Sequence, residues 1–202
     1  MSTSIEPSNT RDRLIAAMVA ALRTRGYHGV GLNEVLAAAQ APKGVLYHHF
    51  PGGKSELAVQ AIEAVGQQLG SELEKAIQRA DDPVNALSLW FNSAQKMLGK
   101  SGFQSGCPLA TIALESTPED DTIRHALAQA FAALRSRIAK VLGGIGLSDP
   151  AARSLAALIV SAYEGALVQA RVSGNIVTMR ETSEALISLL RLSLNESKNH
   201  RN

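Results

Sequence analysis

The 202-residue chain is 46% hydrophobic, 4% aromatic and carries a net charge of +2. That excludes a disordered chain and leaves room for one large domain or two unequal ones. Its longest uninterrupted apolar run, from Leu14 to Leu22, spans nine residues, where a membrane span needs about 20. The opening MSTSIEPSNTRDR has no apolar core ahead of a cleavage site, and the single cysteine, Cys107, cannot close a disulfide within one chain. These features imply a cytoplasmic protein with no membrane partner.

The charge is unevenly spread. Residues 1–60 hold six basic and four acidic side chains, and residues 61–202 hold fourteen of each. Three of the five histidines (His28, His48, His49) also lie in the first sixty residues. Such an excess at one end hints at a polyanionic partner, although an ordinary solvated surface would look the same.

Taken in chain order, the spacing of apolar residues predicts an all-α protein of about nine helices, near 9–26, 32–39, 43–50, 53–80, 83–99, 108–115, 119–142, 149–173 and 178–196. No segment alternates over six or more residues, as a half-buried strand would. Asp82-Pro83, Thr117-Pro118 and Asp149-Pro150 each set a capping oxygen before a proline suited to a first helical position. Thr178 to Glu181 has the spacing of a capping box. Gly26, Gly99, Gly143 and Gly174 sit where helices should stop. Leu57, Ala61, Val65, Leu69, Leu73 and Ile77 mark one side of a linking helix over 53–80, about 42 Å long at 1.5 Å per residue.

Between Gly31 and Phe50 the helices shorten. LNEVLAAA, a brief QAP turn and KGVLYHHF have the proportions of a helix-turn-helix, with Leu32, Val35, Leu36 and Ala39 facing inward from the first helix and Leu46 and Phe50 from the second. Gly44 leaves the second helix flat for close approach to a duplex, Lys43 adds charge at its rim, and Tyr47 and His48 offer donors. His49 points about 100° away from His48 and is expected to pack inward with Phe50. Two adjacent histidines do not converge on an ion, so no metal site is expected. Gly52-Gly53-Lys54 opens the next helix, whose free amides suit a phosphate.

The string Leu32-Asn33-Glu34-Val35, followed by Lys43-Gly44-Val45-Leu46-Tyr47-His48-His49-Phe50 and then Lys54, Glu56 and Leu57, resembles the TetR family of bacterial transcriptional regulators over about residues 10–70. Two departures stand out: Gln40-Ala41-Pro42 replaces the usual Gly-Val-Ser turn, and Val45 replaces a common Thr or Ser. APKGVLYHHFPGGK and Gly106-Cys107-Pro108-Leu109-Ala110 resemble the branch of lincomycin-resistance and flavonoid-responsive repressors. The resemblance implies a DNA-binding head over 9–53, with its motif at about 32–51, and a ligand-binding and dimerisation domain over 71–202. It implies contact with double-stranded operator DNA through Leu32, Asn33, Pro42, Lys43, Gly44, Val45, Tyr47, His48 and Lys54.

It also implies a homodimer built on the last two long helices, through Leu155, Leu158, Ile159, Ala162, Ala166, Leu186 and Leu190. The interior Gly165 is compatible with close helix approach. A small effector would meet some of Trp90, Phe91, Met97, Phe103, Cys107, Ile112, Phe131, Tyr163, Glu164 and Gln169, most of which also read as ordinary core. Balanced charge in this region favours a lipophilic or aromatic effector over a strongly charged one. The role implied is that of a repressor rather than an enzyme, with no cofactor. Two other readings stay open: an all-α enzyme using Cys107 or Glu164, and a helical interaction module that has lost DNA binding.

Overall fold

The computed structural model describes residues 9–199. Among them the elements are α1 (Thr10–Arg25), α2 (Leu32–Ala38), α3 (Lys43–His49), α4 (Gly53–Arg79), α5 (Pro83–Lys100), α6 (Pro108–Glu115), α7 (Asp121–Gly144), α8 (Asp149–Ser173) and α9 (Val177–Asn199), with no strand. This all-α architecture agrees with the reading from apolar spacing.

The chain divides into two compact units. The first joins α1–α3 and the start of α4, up to Val65, with residues Pro108–Ala130, which comprise α6 and the start of α7. Its core is formed by Leu14, Met18, Leu22, Val35, Leu46, Phe50, Leu57, Ile62, Leu109 and Ile112, all buried. The second unit takes the rest of α4 and α7 together with α5, α8 and α9. There α8 packs along α9, and both meet α5. Leu87, Trp90, Phe91, Ile138, Ile159, Tyr163 and Leu190 fill the interior.

Helix ends follow local chemistry, though not always at the expected residue. Asn9 caps α1 by accepting from the Asp12 amide at 2.9 Å, and Gly26 ends it at φ 66°. Asp82 caps α5 by accepting from the amides of Val84 and Asn85 at 2.8 and 2.9 Å. The other expected caps are shifted. Ser148, not Asp149, is the N-cap of α8, and it makes no side-chain cap bond. The carboxylate of Asp120 accepts from the Thr117 amide at 2.8 Å, and this turn delays α7 to Asp121. The Thr178–Glu181 box lies inside α9, because Asn175 already accepts from the Val177 amide at 3.0 Å. Gly99 and Gly143 lie within helices, and the left-handed residues that stop α5 are Gly102 and Phe103, at φ 62° and 63°.

By length and composition alone α8 could cross a membrane. Ala152, Ala156, Ile159, Val160, Tyr163, Ala166, Leu167 and Ala170 are instead buried within the protein, as suits the core helix of a helical bundle.

Candidate functional site

The α2–α3 turn is tight because Gln40 adopts φ 50°, a conformation that glycine takes more readily. The Ala41 amide then donates to the Leu36 carbonyl at 3.0 Å. Leu46 and Phe50 anchor α3 from below, and Arg11 lies over the Phe50 ring at 5.4 Å. The outer face of α3 is therefore left to Pro42, Lys43, Gly44, Tyr47 and His48, all exposed. A Cβ added at Gly44 would meet no described atom within 4 Å, so the helix surface there is bare. Tyr47 is 45% exposed; its ring lies beside Gly53, whose φ of 65° disfavours any larger residue. Val45 and His49 are half-buried, and the His49 ring meets Phe50 edge-on. On α2, Asn33 is exposed and Leu32 half-buried.

The start of α4 differs from expectation. The Gly52 amide donates to the Glu56 carboxylate at 2.7 Å, and the Gly53 amide to the Phe50 carbonyl at 2.8 Å. These two amides are thus taken by the protein's own acceptors, which leaves a phosphate only the later amides of the first turn and the Lys54 side chain. Lys54 is half-buried, with Nζ over the Tyr27 ring at 4.6 Å. Burial lowers its pKa, and the charges of Glu115 and Asp120 oppose that shift.

These acids belong to a polar cluster within the first unit that sequence reasoning missed. The Tyr27 amide, free at the end of α1, donates to the Glu115 carboxylate. Asp120 meets His28 at 2.9 Å, and its carboxyl is held below the usual range by the Thr117 amide and then by His28. The partners lie about ninety positions apart in the chain, so no local pattern announces them.

In the second unit Trp90 stacks on Tyr163, centroids 4.5 Å apart and planes at 21°, with Phe91 edge-on to both. Such arrangements suit the ring quadrupoles. Cys107 is buried. Both carboxylate oxygens of Glu164 are shielded from solvent without a hydrogen bond of good geometry. Burial pushes its pKa up to about 7, against the pull of the Cys107 thiol beside it. Phe103 and Phe131 are half-buried, while Met97 and Gln169 are exposed. Ile112 belongs to the core of the first unit.

The residues expected at a dimer face separate into two sets. Ile159, Ala166, Leu186 and Leu190 are buried within the chain itself. Leu158 is exposed, and Leu155 and Ala162 are half-buried. Large apolar residues that the expected dimer face did not include, Val168 and Val172 on α8 and Leu189 and Leu192 on α9, also face outward. A Cβ at Gly165, on this same α8 face, would meet nothing within 4 Å.

A short helix pair presenting a bare, donor-bearing face, together with a larger helical unit, is the construction of a helix-turn-helix transcriptional regulator. The chain matches the profile of bacterial regulatory proteins of the tetR family over residues 14–61. It matches the C-terminal domain of LmrA/YxaF-like transcriptional regulators over residues 83–185. The protein belongs to the TetR family of transcriptional regulators, with an LmrA/YxaF-like C-terminal domain. It is 24% identical to the HTH-type transcriptional regulator LmrA of Bacillus subtilis over 183 residues, covering 91% of this chain and 97% of that one. It is 28% identical to YxaF of the same organism over 160 residues, covering 79% and 84%. The crystal structure of a regulatory TetR protein from Rhodobacter sphaeroides superposes with a TM-score of 0.78 at 26% identity, covering 89% and 97%.

Proposed function

We propose that the protein is a cytoplasmic, dimeric repressor that binds a palindromic operator and is released from it by a small lipophilic or aromatic effector. The observation that carries the DNA-binding part is the outer face of α3, where Lys43, Tyr47 and His48 surround the bare Gly44 and hydrophobic anchors hold the opposite side. Phosphate donors at the rim position such a helix, and a flat glycine lets its backbone approach the groove. Pro42 and Asn33 extend the same exposed surface.

The dimer reading rests on the outward stripe of Leu158, Val168 and Val172 on α8 with Leu189 and Leu192 on α9. Exposed apolar residues gathered on two helices that pack together mark an association site, and two helices from each of two chains make a four-helix bundle. Two heads held at a fixed spacing then read two half-sites. An effector that binds better to one spacing shifts the population toward it.

Tyr47→Ala is expected to weaken binding to the DNA upstream of the protein's own gene by roughly tenfold while leaving the melting temperature unchanged. Gel shift across a salt series reads the first, and thermal unfolding the second. Unchanged affinity would remove α3 from the interface. Lys54→Ala is expected to act differently, because its ammonium also sits on Tyr27. It should lower the melting temperature and, through a lost phosphate contact, weaken all DNA sequences alike with a salt slope smaller by about one. A loss confined to one operator variant would overturn that phosphate role.

A further inference from the structure

The second unit contains a groove that the preceding reading does not use. It lies between the C-terminal half of α4, α5 and the α8–α9 turn, and has a volume of about 770 Å³, within the usual size range of small-molecule sites. Its apolar lining comes from Leu89, Trp90, Phe103 and Ile176. Phe103 takes part at a conformational cost: at φ 63° it is a bulky residue in the left-handed region, and such strain persists where the surroundings over-determine it. Its backbone amide donates to the Leu98 carbonyl at 3.1 Å, which fixes that conformation.

The polar lining is lopsided. Lys75 and Arg79 on α4 and Lys96 on α5 line the groove, and none of them makes an ion pair with a described residue. The acid among them, Glu72, already accepts from Gln68 at 2.9 Å. Gln95, only 9% exposed as a residue, lines the wall, and no hydrogen bond joins its side chain to another described residue, so its amide is open to the groove. Three exposed cations and an amide without a protein partner, gathered along one groove, suit an acceptor from outside.

We propose that this groove binds an amphipathic anion, an apolar body ending in a carboxylate, with the body on Trp90 and Phe103 and the head among Lys75, Arg79 and Lys96. The proposal sharpens the effector class given above and depends on that reading only for its regulatory consequence. Balanced charge over the whole region conceals this local excess, because the three cations come from two helices.

The test uses the full-length protein and three probes of equal chain length: decanoate and decyltrimethylammonium below their micelle concentrations, and 1-decanol below its solubility limit. Trp90, the only tryptophan in the chain, reports binding. Decanoate is expected to change its fluorescence saturably, at least tenfold more tightly than decanol, with the ammonium weaker still. The exposed triple substitution Lys75→Gln, Arg79→Gln, Lys96→Gln should bring decanoate down to the affinity of decanol without lowering the melting temperature. Equal affinities for the three heads, or decanoate binding unaffected by the triple substitution, would overturn the site. Head-selective binding that leaves operator affinity unchanged would uphold the site and overturn the effector reading instead.

Discussion

Leu158→Glu and Leu192→Glu are each expected to give a folded monomer whose operator affinity falls by roughly a hundredfold, because the second head then binds without the effective concentration that the linkage supplies. Leu192 is 62% exposed in the single chain, so the new charge costs little until a second copy tries to bury it. The contrast is internal. Ala166 and Leu190 are 2% and 1% exposed, and Ala166→Asp or Leu190→Asp should unfold the second unit rather than separate two intact chains. Sedimentation velocity at micromolar concentration and circular dichroism distinguish these outcomes. A wild-type monomer, or a Leu192→Glu dimer with unchanged operator affinity, would remove the outward stripe from the interface.

Stability should fall as pH rises from about 4.5 to 7, through the single side chain of Glu164. A glutamate in the unfolded chain ionises near 4.5, while the buried one holds its proton up to about 7. Between those values the unfolded chain has released a proton that the folded chain keeps, so rising pH favours unfolding, and the effect levels off above 7. Its full size is on the order of 3 kcal/mol. Glu164→Gln keeps the shape and cannot ionise. The substituted protein is expected to match the wild type near pH 4.5 and to be more stable by up to about 3 kcal/mol at pH 8. Urea unfolding of both proteins at several pH values cancels the contribution of other carboxylates, and parallel profiles would show that Glu164 does not carry the penalty.

What the sequence discloses is chiefly local. The Asp82-Pro83 cap, the left-handed stops at Gly26 and Gly174, and the inward side of α3 all depend on residues within a turn of one another, and they stand where spacing places them. Thr178 failed as a cap because Asn175, three residues earlier, reaches the helix start first. Apolar periodicity marks a helix side without saying what covers it. Ile159 and Leu158 therefore looked alike, although one is buried by its own chain and the other is not. The Glu115–Tyr27 bond and the cation-lined groove join distant stretches of chain, and no window of a dozen residues contains them.

The acceptor that Glu115 supplies to Tyr27 also bears on modularity. Recombination or protein engineering that exchanged DNA-reading heads between regulators would naturally cut within α4. A fragment cut there leaves behind residues 108–130, which pack with the head. The transplanted head would carry an uncapped Tyr27 amide, and His28 and Lys54 would lose the acids beside them. A working chimera must therefore inherit two separate pieces of sequence together, or evolve a new acceptor at the end of α1. Without such an acceptor, the head is exchangeable only as a discontinuous cassette.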